Sequence, residues 1–340
     1  MEQLPSTDCT IIGGGPAGLY AAFYAGMRDL SVRIIENQSK LGGKLHFYPE
    51  KMIWDIGGMK PTPGLEVMEQ MIHQAQTFSP KVELNQLITK ISKLGPQHFR
   101  VFSSTGDYFD SKSIIIATGG GIFTPKRLPG IYCEPYETAN LHYTIYRMKD
   151  FENKRVAIVG GGNSAIDWAN ELKDRVKELH VIHRRDEFTA HESQIRQLSG
   201  EHIHIHTYSA IEELLPDDSQ DKIRSIRLHN TKTGTRLSLP IDELLVNIGF
   251  ETEQNVHQDE ALNLELIDHY YIKGSSLAET SIQGMYAIGD ILDFQGKVRL
   301  IAGAYNDAVN AVNQIRQYCY PLINHAVVMS SMHDGLQNRV

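Results

Sequence analysis

The fold of this chain is decided near its N-terminus by the stretch Cys9-Thr10-Ile11-Ile12-Gly13-Gly14-Gly15-Pro16-Ala17-Gly18. An apolar run passes through glycines into residues 19–25, which have helical spacing, and this order predicts a strand, a tight turn and a helix. The chain then returns to an apolar run at Val32-Arg33-Ile34-Ile35, and Glu36 follows it. The segment therefore predicts a βαβ unit with parallel strands.

The glycines of this turn have the spacing of a dinucleotide-binding site. Gly13 allows a sharp turn after the strand, Gly15 lets the backbone approach a pyrophosphate, and Gly18 permits close packing of the helix against the strand. Glu36 lies at about the distance, ~20 residues, at which an acid accepts hydrogen bonds from ribose hydroxyls. A purely structural glycine turn is the alternative, but the complete order of strand, turn, helix, strand and acid favours a cofactor site.

The same pattern recurs 147 residues later, where Val156-Ala157-Ile158-Val159 leads into Gly160-Gly161-Gly162-Asn163-Ser164-Ala165. This internal repeat predicts a second βαβ unit, which closes on residues 179–185. We expect Gly162, Asn163 and Ser164 to lie at the phosphates of a second cofactor, because they form the turn and the start of the helix.

The two units differ in the charge that follows their second strand. Arg184 and Arg185 stand in the second unit where the first unit has Glu36. An acid repels a 2′-phosphate, whereas arginines bind it through charge-assisted hydrogen bonds, so the second unit is predicted to prefer NADP over NAD. The alternative is that residues 183–187 are only a mixed-charge surface turn.

A third element is Met285-Tyr286-Ala287-Ile288-Gly289-Asp290, a short apolar strand that ends in Gly-Asp and precedes a helical stretch over residues 300–317. Asp290 is placed to accept a hydrogen bond from a ribityl hydroxyl, although an N-cap is the simpler interpretation of Gly-Asp alone. Two dinucleotide sites of opposite charge preference indicate a bound flavin and a diffusible nicotinamide cofactor, and hence a redox enzyme.

The rest of the chain predicts antiparallel strands and a nested domain arrangement. Turn residues at 94–96, 104–107 and 233–234 separate short alternating runs, which is typical of β-meanders. We predict an α/β fold with two Rossmann-like, three-layer ββα domains, one inserted in the other. The outer nucleotide-binding domain is expected at residues 1–119 and 250–340, and the inserted domain at residues 120–249.

Composition excludes several other classes of protein. The chain has 340 residues, 41% hydrophobic and 22% charged, and a formal net charge of −8, so a disordered chain or a general nucleic-acid or membrane-surface binder is not expected. Its three cysteines, Cys9, Cys133 and Cys319, form no Cys-x-x-Cys pair and predict neither a disulfide framework nor a zinc site. No apolar run reaches the ~18 residues of a membrane span and residues 1–8 do not resemble a secretion signal, so a cytoplasmic location is expected.

Several motifs together resemble the ferredoxin–NADP reductases of the thioredoxin-reductase-like type, and the resemblance covers nearly the whole chain. The motifs are Gly13–Gly18, Leu41-Gly42-Gly43-Lys44-Leu45, Tyr48-Pro49-Glu50-Lys51, the second glycine motif with Asp167-Trp168-Ala169, His183-Arg184-Arg185-Asp186 and Gly289-Asp290. Thioredoxin reductases carry a redox-active Cys-x-x-Cys just before the second glycine motif, but residues 140–145 here contain no cysteine. Electrons on a flavin would therefore pass directly to an external acceptor.

The resemblance implies a homodimer with FAD in the outer domain and NADPH in the inserted one. It assigns Glu36 to the adenosine ribose, Ile88 to the adenine site and Asp290 to the ribityl-phosphate portion. It further implies that Lys44, Tyr48, Phe123 and Ser331 approach the flavin, with Tyr48 stacked on one face of the ring system. Three positions depart from the family pattern: Lys44 replaces a usual Gln, Met329 replaces a frequent His, and residues 188–190 lack a further Arg.

The expected activity is reversible electron transfer between NADPH and ferredoxin or flavodoxin, with no catalytic side chain at the hydride step. A dithiol-free NADPH oxidase or quinone reductase and a flavin-binding redox sensor are the alternatives. An acidic ferredoxin needs a local basic patch on this acidic chain, for which Lys51, Lys60, Lys297 and Arg299 are candidates.

The histidines at 202, 204 and 206 alternate with isoleucines and are expected on one face of a strand. They are interpreted as the solvated face of a half-buried strand rather than a metal site, because one strand spaces alternate side chains too widely for a tetrahedral site.

Overall fold

The computed structural model describes residues 7–121, 124–251, 257, 262–323 and 329–337. The chain divides into two compact units. The first comprises Met1–His46, Lys51–Ile122 and Glu253–Val340, and the second comprises Phe47–Glu50 and Phe123–Thr252. The second unit is thus inserted in the first along the chain, and the short segment Phe47–Glu50 groups with it.

Strands and helices alternate in both units. The strands of the N-terminal part are β1 (Thr7–Ile12), β2 (Val32–Ile35), β3 (Met52–Ile53), β4 (Thr62–Pro63), β5 (Lys81–Glu83), β6 (Ile88–Gly95), β7 (His98–Ser103) and β8 (Tyr108–Ile116). Those of the second unit are β9 (Thr124–Pro125), β10 (Leu141–His142), β11 (Arg155–Val159), β12 (Glu178–Ile182), β13 (Ile203–His206), β14 (Ser209–Pro216), β15 (Ile223–Asn230), β16 (Arg236–Pro240), β17 (Glu243–Val246) and β18 (Phe250–Glu251). The C-terminal part adds β19 (Leu266–Ile267), β20 (Tyr271–Lys273), β21 (Met285–Ala287) and β22 (Leu292–Asp293). The helices are α1 (Pro16–Gly26), α2 (Gly64–Ala75), α3 (Asn163–Leu172), α4 (Glu192–Ile195), α5 (Ile301–Cys319) and α6 (Asp334–Gln337).

In the described part of the first unit, the central sheet has the order β5-β2-β1-β8-β7-β6, and β21 also pairs with β8. The strands β5, β2, β1, β8 and β21 are parallel, whereas β6, β7 and β8 form an antiparallel meander. All six residues of β1 are buried, as expected for a parallel strand that is covered on both faces. The predicted turns at 94–96 and 104–107 connect the strands of this meander.

The second unit repeats this plan. A parallel sheet has the order β10-β17-β11-β12-β13, and β14, β15 and β16 form an antiparallel meander. Alternate residues of β11 and β12 pack in two cores, one shared with α3 and the other with the meander. Each side of the parallel sheet is therefore covered, once by a helix and once by a second sheet, which is a three-layer ββα arrangement.

Strand ends and helix starts in both units coincide with the two glycine turns. In the first, β1 ends at Ile12 and α1 begins at Pro16; in the second, β11 ends at Val159 and α3 begins at Asn163. The predicted α/β class with two Rossmann-like units is confirmed.

Candidate cofactor sites

The first glycine turn is fixed by close backbone contacts. The Gly13 amide donates to the Ile35 carbonyl oxygen at 2.8 Å, and Gly13 has φ = +112°. A Cβ atom on Gly13 would lie 2.4 Å from the Ala117 carbonyl oxygen, and one on Gly18 would lie 2.0 Å from the Gly13 carbonyl oxygen. Side chains are thus excluded at both positions, because the turn is pressed against β8 and against its own helix.

The middle of the same turn is open. Gly15 is the N-cap of α1 and makes no side-chain capping bond, and Pro16 stands in the first helical turn. A Cβ atom on Gly15 would meet only the Gly43 Cα, at 3.7 Å, among the described atoms. The start of α1 therefore offers backbone amides and the positive end of the helix dipole to an anion.

Glu36 is held against this turn. It is 8% exposed, its Oε2 accepts a hydrogen bond from the Gly14 amide at 2.7 Å, and its Oε1 accepts one from the Gln38 amide at 2.9 Å. Each carboxylate oxygen keeps a further lone pair for an external donor. The geometry suits hydrogen bonds from the two hydroxyls of a ribose.

Lys44 and Asp290 form an ion pair beside the start of α1. The Lys44 Nζ and the Asp290 Oδ2 are 3.1 Å apart, and both side chains are partly exposed. A Cβ atom on Gly289 would lie 3.0 Å from the Ala17 Cβ, so the Gly-Asp turn lies against the first turn of α1. Asp290 thus lies in the same region as the open amides, within the first unit.

A buried ion pair supports this Gly-Asp turn. Asp307 accepts a hydrogen bond from the Gly289 amide at 2.9 Å and is also paired with the Lys297 ammonium group. The Lys297 side chain is only 2% exposed, so its predicted place in a basic docking patch is wrong. The sequence-based prediction failed because a lysine in a polar loop is normally exposed, whereas this one neutralises a buried aspartate. Arg299, another candidate, is paired with Asp293 at 2.9 Å.

The second glycine turn has the same backbone. The Gly160 amide donates to the Ile182 carbonyl oxygen at 3.0 Å, and a Cβ atom on Gly160 would lie 2.2 Å from the Asn247 carbonyl oxygen. Gly162 is the N-cap of α3 without a side-chain capping bond, and a Cβ atom on it would meet only the Thr189 Oγ1, at 3.9 Å, among the described atoms. This helix start is also open to an anion.

Two predicted residues lie directly at the start of α3. Asn163 is exposed, and its Oδ1 accepts a hydrogen bond from the His191 amide at 3.1 Å. Ser164, the next residue of the helix, is half-buried. Their predicted contacts with cofactor phosphates stay predictions.

Strand register identifies the residue equivalent to Glu36. Ile12 pairs with Ile35 in the first unit and Val159 with Ile182 in the second, so His183 occupies the position of Glu36. A Cβ atom on Gly161 would lie 2.3 Å from the His183 ring, just as one on Gly14 would touch Glu36. The prediction that the arginines stand at the acid's position was therefore displaced by one residue.

The residue packed on the second glycine turn, His183, is therefore uncharged, and the two residues that follow it are basic. The His183 ring stacks on Phe188, with centroids 5.2 Å apart, and burial lowers the pKa of His183. Arg184 and Arg185 are exposed, and neither forms an ion pair within the described part of the chain. The 147-residue offset of the repeat, applied to Glu36, gives position 183, so His183 could have been found from the sequence.

The remaining predicted site residues have different surroundings. Tyr48 belongs to the second unit, where its ring stacks on Trp168 with centroids 6.3 Å apart. Ile88 is 5% exposed and lies in the core of the first unit. Ser331 is exposed, and Phe123 lies outside the described residues. The roles of these residues at a flavin or adenine ring stay predictions.

The segment containing Tyr48 is tied to the second unit by two further bonds. The Thr144 hydroxyl donates to the Phe47 carbonyl oxygen at 2.6 Å, and the Met148 amide donates to a Glu50 carboxylate oxygen at 2.6 Å. No sequence pattern indicates this attachment, because the segment lies about a hundred residues before its partners.

The predicted histidine strand is only partly correct. β13 begins at Ile203, and the His202 Nε2 lies 2.8 Å from the Lys173 carbonyl oxygen, so the expected common face is wrong at His202. His204 and His206 instead flank His180 of the neighbouring strand. No group of three or more histidine, cysteine or acidic side chains in the described ranges is arranged to hold a metal ion.

Comparison with known proteins identifies the family. The model of the pyridine nucleotide-disulphide oxidoreductases matches residues 7–314. A Bacillus anthracis protein named ferredoxin–NADP reductase 1 is 44% identical over 332 residues, which cover 98% of this chain and 95% of that protein. The chain belongs to the pyridine nucleotide-disulphide oxidoreductase family.

Other members of the family support this placement. Ferredoxin–NADP reductase 2 of Exiguobacterium sibiricum is 43% identical over 339 residues, covering 100% of this chain and 96% of that protein. Among solved structures, thioredoxin reductase of Lactococcus lactis has a TM-score of 0.73 and 25% identity, and the match covers 93% of this chain and 100% of the other. The predicted resemblance to ferredoxin–NADP reductases of the thioredoxin-reductase-like type is confirmed.

The thiols of this family member are unsuited to disulphide chemistry. Cys9, Cys133 and Cys319 are buried and unpaired with one another. Burial raises the pKa of all three thiols, that of Cys319 to about 11. Since the thiolate is the reactive form, none of them is poised to exchange with a disulfide.

No helix within the described ranges is both long enough and apolar enough to cross a lipid bilayer.

Proposed function

We propose that this chain is a ferredoxin–NADP reductase that binds FAD in its first unit and NADP(H) in its second, and that exchanges electrons between NADPH and ferredoxin or flavodoxin. The observation that carries the proposal is the pair of open glycine turns with different strand ends. One turn is lined by a buried carboxylate, and the other is followed by two exposed arginines. Relatives at 43–44% identity over nearly the full chain carry the same activity in their names.

The residues of the first unit fit FAD. The uncapped start of α1 would bind the pyrophosphate, Glu36 would accept hydrogen bonds from the adenosine ribose, and Asp290 would bind the ribityl portion. The space at Gly15, where a side chain is absent and Gly43 is the nearest neighbour, admits a close backbone approach. Lys44, paired with Asp290, places a positive charge where the cofactor phosphates lie.

When bound, FAD accepts a hydride from NADPH and releases electrons singly, which is the chemistry that joins a two-electron donor to a one-electron acceptor. The chain's own residues bind and orient the cofactors. Glu36 selects an unphosphorylated ribose, because a 2′-phosphate would face its negative charge. No side chain is required as an acid or base, so the proposal includes no catalytic residue.

The residues of the second unit fit a phosphorylated nicotinamide cofactor. The uncapped start of α3 would bind its pyrophosphate. Arg184 and Arg185, exposed after β12, would bind the 2′-phosphate, and the uncharged His183 at the position of Glu36 removes the repulsion that an acid would cause.

The electron acceptor is proposed to be an external protein because the chain holds no dithiol. Its three thiols are buried and far apart in sequence, unlike a Cys-x-x-Cys pair. A homodimer in the cytoplasm is the proposed working form, as the resemblance to the family implies.

Absorbance spectroscopy provides the decisive test. We expect the purified protein to show flavin absorption that bleaches on anaerobic addition of NADPH and recovers when oxidised ferredoxin or flavodoxin is added. Steady-state rates with ferredoxin, quinone and oxygen then separate the reductase from an oxidase or a quinone reductase. A protein that binds no flavin, or that reduces only quinone or oxygen, would contradict the proposal.

Cofactor preference is tested by the double variant Arg184→Gln/Arg185→Gln. We expect the KM for NADPH to rise by about 10-fold or more while the KM for NADH changes little, since only the 2′-phosphate contacts are removed. Arg147→Gln, an exposed arginine of the same unit, is the matched control. Equal effects on NADPH and NADH would refute the assigned role of the two arginines.

A further inference from the structure

The run after β12 is electrically balanced when it is considered alone. Arg184 and Arg185 are followed directly by Asp186 and Glu187, and all four residues are exposed. A 2′-phosphate carries nearly two negative charges, so a run without net charge attracts it weakly at a distance. The following residues, 188–190, supply no further positive charge.

Hydrogen bonds connect this run to a turn that is distant in the sequence. The Tyr208 amide donates to the Arg185 carbonyl oxygen at 3.1 Å. The Tyr208 carbonyl oxygen in turn accepts hydrogen bonds from the Thr231 amide at 2.7 Å and from the Thr231 hydroxyl at 3.0 Å. Through these bonds, the backbone of Tyr208 links the turn between β15 and β16 to the backbone of Arg185.

This turn carries a lysine in a defined position. The Lys232 amide donates to the Asn230 Oδ1 at 3.0 Å, and the Asn230 side chain also accepts from the Thr233 amide at 3.0 Å, so the backbone of the turn is braced from within. The Lys232 Nζ lies 4.5 Å from the centroid of the Tyr208 ring, within the range of a cation–π interaction.

Tyr208 also connects this lysine to the acidic part of the run. Asp186 beside the Tyr208 hydroxyl raises the pKa of Tyr208. Tyr208 has φ = +53°, a left-handed conformation that is unfavourable for a residue with a side chain. Such strain is retained where the surroundings require one orientation of a side chain.

We propose that Lys232 is a further specificity-determining residue, the third positive charge of the subsite that binds the ribose 2′-phosphate. The inference rests on the proposed binding of NADP(H) by the second unit. Lys232 adds one positive charge to the two arginines and two acids of the run, so the subsite presents a net positive charge to a phosphomonoester. The residue stands 47 positions after Arg185 and reaches the run through Tyr208, whose backbone is bonded to Arg185.

Binding of 2′,5′-ADP and 5′-ADP to the full-length, FAD-loaded protein, measured by calorimetry, tests this inference. These ligands differ only in the 2′-phosphate. For Lys232→Gln we expect the Kd for 2′,5′-ADP to rise about three- to fivefold, the size typical of an exposed charge interaction, and the Kd for 5′-ADP to stay unchanged. The increase should shrink at about 0.5 M salt, where charges beyond a few ångströms are screened.

Three variants complete the experiment. Lys232→Arg should keep most of the affinity for 2′,5′-ADP, because it keeps the charge. Tyr208→Phe should weaken binding of 2′,5′-ADP, because it releases Asp186. Lys222→Gln removes the same charge from the other end of β15, ~25 Å away in an extended strand, and should bind like the wild type.

The outcomes are distinguishable. If Lys232→Gln binds 2′,5′-ADP like the Lys222→Gln control, or weakens both ligands equally, the role of Lys232 is refuted while NADP(H) binding stands. If the wild-type protein itself does not prefer 2′,5′-ADP to 5′-ADP, the proposed function of the second unit fails, and this inference fails with it.

Discussion

The two glycine turns share a backbone and differ in the side chain packed against their second glycine. In each turn, the first glycine donates to the carbonyl oxygen of the neighbouring strand's last residue, at 2.8 Å from Gly13 and at 3.0 Å from Gly160. The packed side chain is Glu36 beside Gly14 in one unit and His183 beside Gly161 in the other. Backbone geometry thus makes both turns suitable for a dinucleotide, and we propose that the residues after the second strand decide between an unphosphorylated and a 2′-phosphorylated ribose.

We expect the largest loss of stability when the first glycine of either turn is replaced. Gly13→Ala and Gly160→Ala each place a Cβ atom within 2.4 Å of a carbonyl oxygen, and both glycines have positive φ. We expect a loss of several kcal/mol, about 3 or more, in the stability of the affected unit. Release of bound flavin should report the unfolding of the first unit.

Tryptophan emission reports the second unit separately. Trp168, a residue of α3, is 3% exposed, whereas Trp54 of the first unit is 73% exposed, so an emission shift on unfolding comes mainly from Trp168. Gly160→Ala should lower the urea concentration at which this emission shift occurs, whereas Gly13→Ala should leave that concentration unchanged. Unchanged transitions in both variants would show that the turns tolerate the side chain.

The middle glycines should separate binding from folding. A Cβ atom on Gly15 or Gly162 would meet its nearest described neighbour at 3.7 or 3.9 Å, an ordinary contact, so both alanine variants should fold. We expect Gly15→Ala to lower flavin content and Gly162→Ala to keep the flavin but raise the KM for NADPH, each by about 10-fold, because the methyl group occupies space needed by a pyrophosphate. If one variant affects both cofactors equally, the assignment of one cofactor to each turn is wrong.

A smaller effect is expected from removing the charge of Glu36, the residue that follows β2. Glu36→Gln keeps the size of the side chain but turns one acceptor oxygen into a donor. We expect the FAD Kd, measured by reconstitution of the flavin-free protein, to rise about fivefold, as for the loss of a charged hydrogen bond. Gln38→Glu, which alters charge beside the site without touching the Glu36 carboxylate acceptors, is the control.

Much of this organisation could be predicted from the sequence, because it depends on local patterns. The strand, turn and helix at residues 9–26 follow from an apolar run, glycine spacing and helical periodicity. Glycines mark both turns because a side chain has no room there. The predicted helix over 300–317 is found as α5, Ile301–Cys319.

The parts that could not be predicted depend on contacts between distant segments. Lys297 is buried because it pairs with Asp307, which also accepts a hydrogen bond from the Gly289 amide, and nothing in the residues next to Lys297 indicates this. Lys232 approaches Tyr208 only because β15 and β16 turn back beside β14. The one-residue error at His183 is different, since the 147-residue offset between the two units already maps Glu36 onto position 183 and no distant contact is needed to find it.

The smallest expected effect concerns a second pair of equivalent positions. Arg33 pairs with Thr10 in the first unit, and His180 pairs with Ala157 in the second, at the same register behind each glycine turn. Both side chains are buried, Arg33 over the Phe109 ring and His180 among His204, His206 and Glu178. An arginine keeps its charge throughout the accessible pH range, whereas a histidine does not.

Burial lowers the pKa of His180 to about 4, with Glu178 opposing the shift and His206, His204 and Arg155 adding to it. An unfolded histidine titrates near 6.5, so between about pH 6.5 and pH 4 the unfolded chain binds a proton at this position that the folded chain does not. The contribution of neutral His180 is therefore complete above about pH 6.5 and is lost as the pH falls towards 4, with a slope of up to ~1.4 kcal/mol per pH unit.

Urea unfolding followed by Trp168 emission at pH 7.5, 6 and 5 measures this slope. His180→Gln should be less stable than the wild type at pH 7.5, because a packed ring is lost, and the difference should narrow or reverse at pH 5, because the variant has no proton to exclude. His73→Gln, on the exposed face of α2, should follow the wild type at every pH. A constant difference between His180→Gln and the wild type would mean that His180 does not exclude the proton, and the acid sensitivity of the second unit would then have to come from His206, whose pKa burial also lowers.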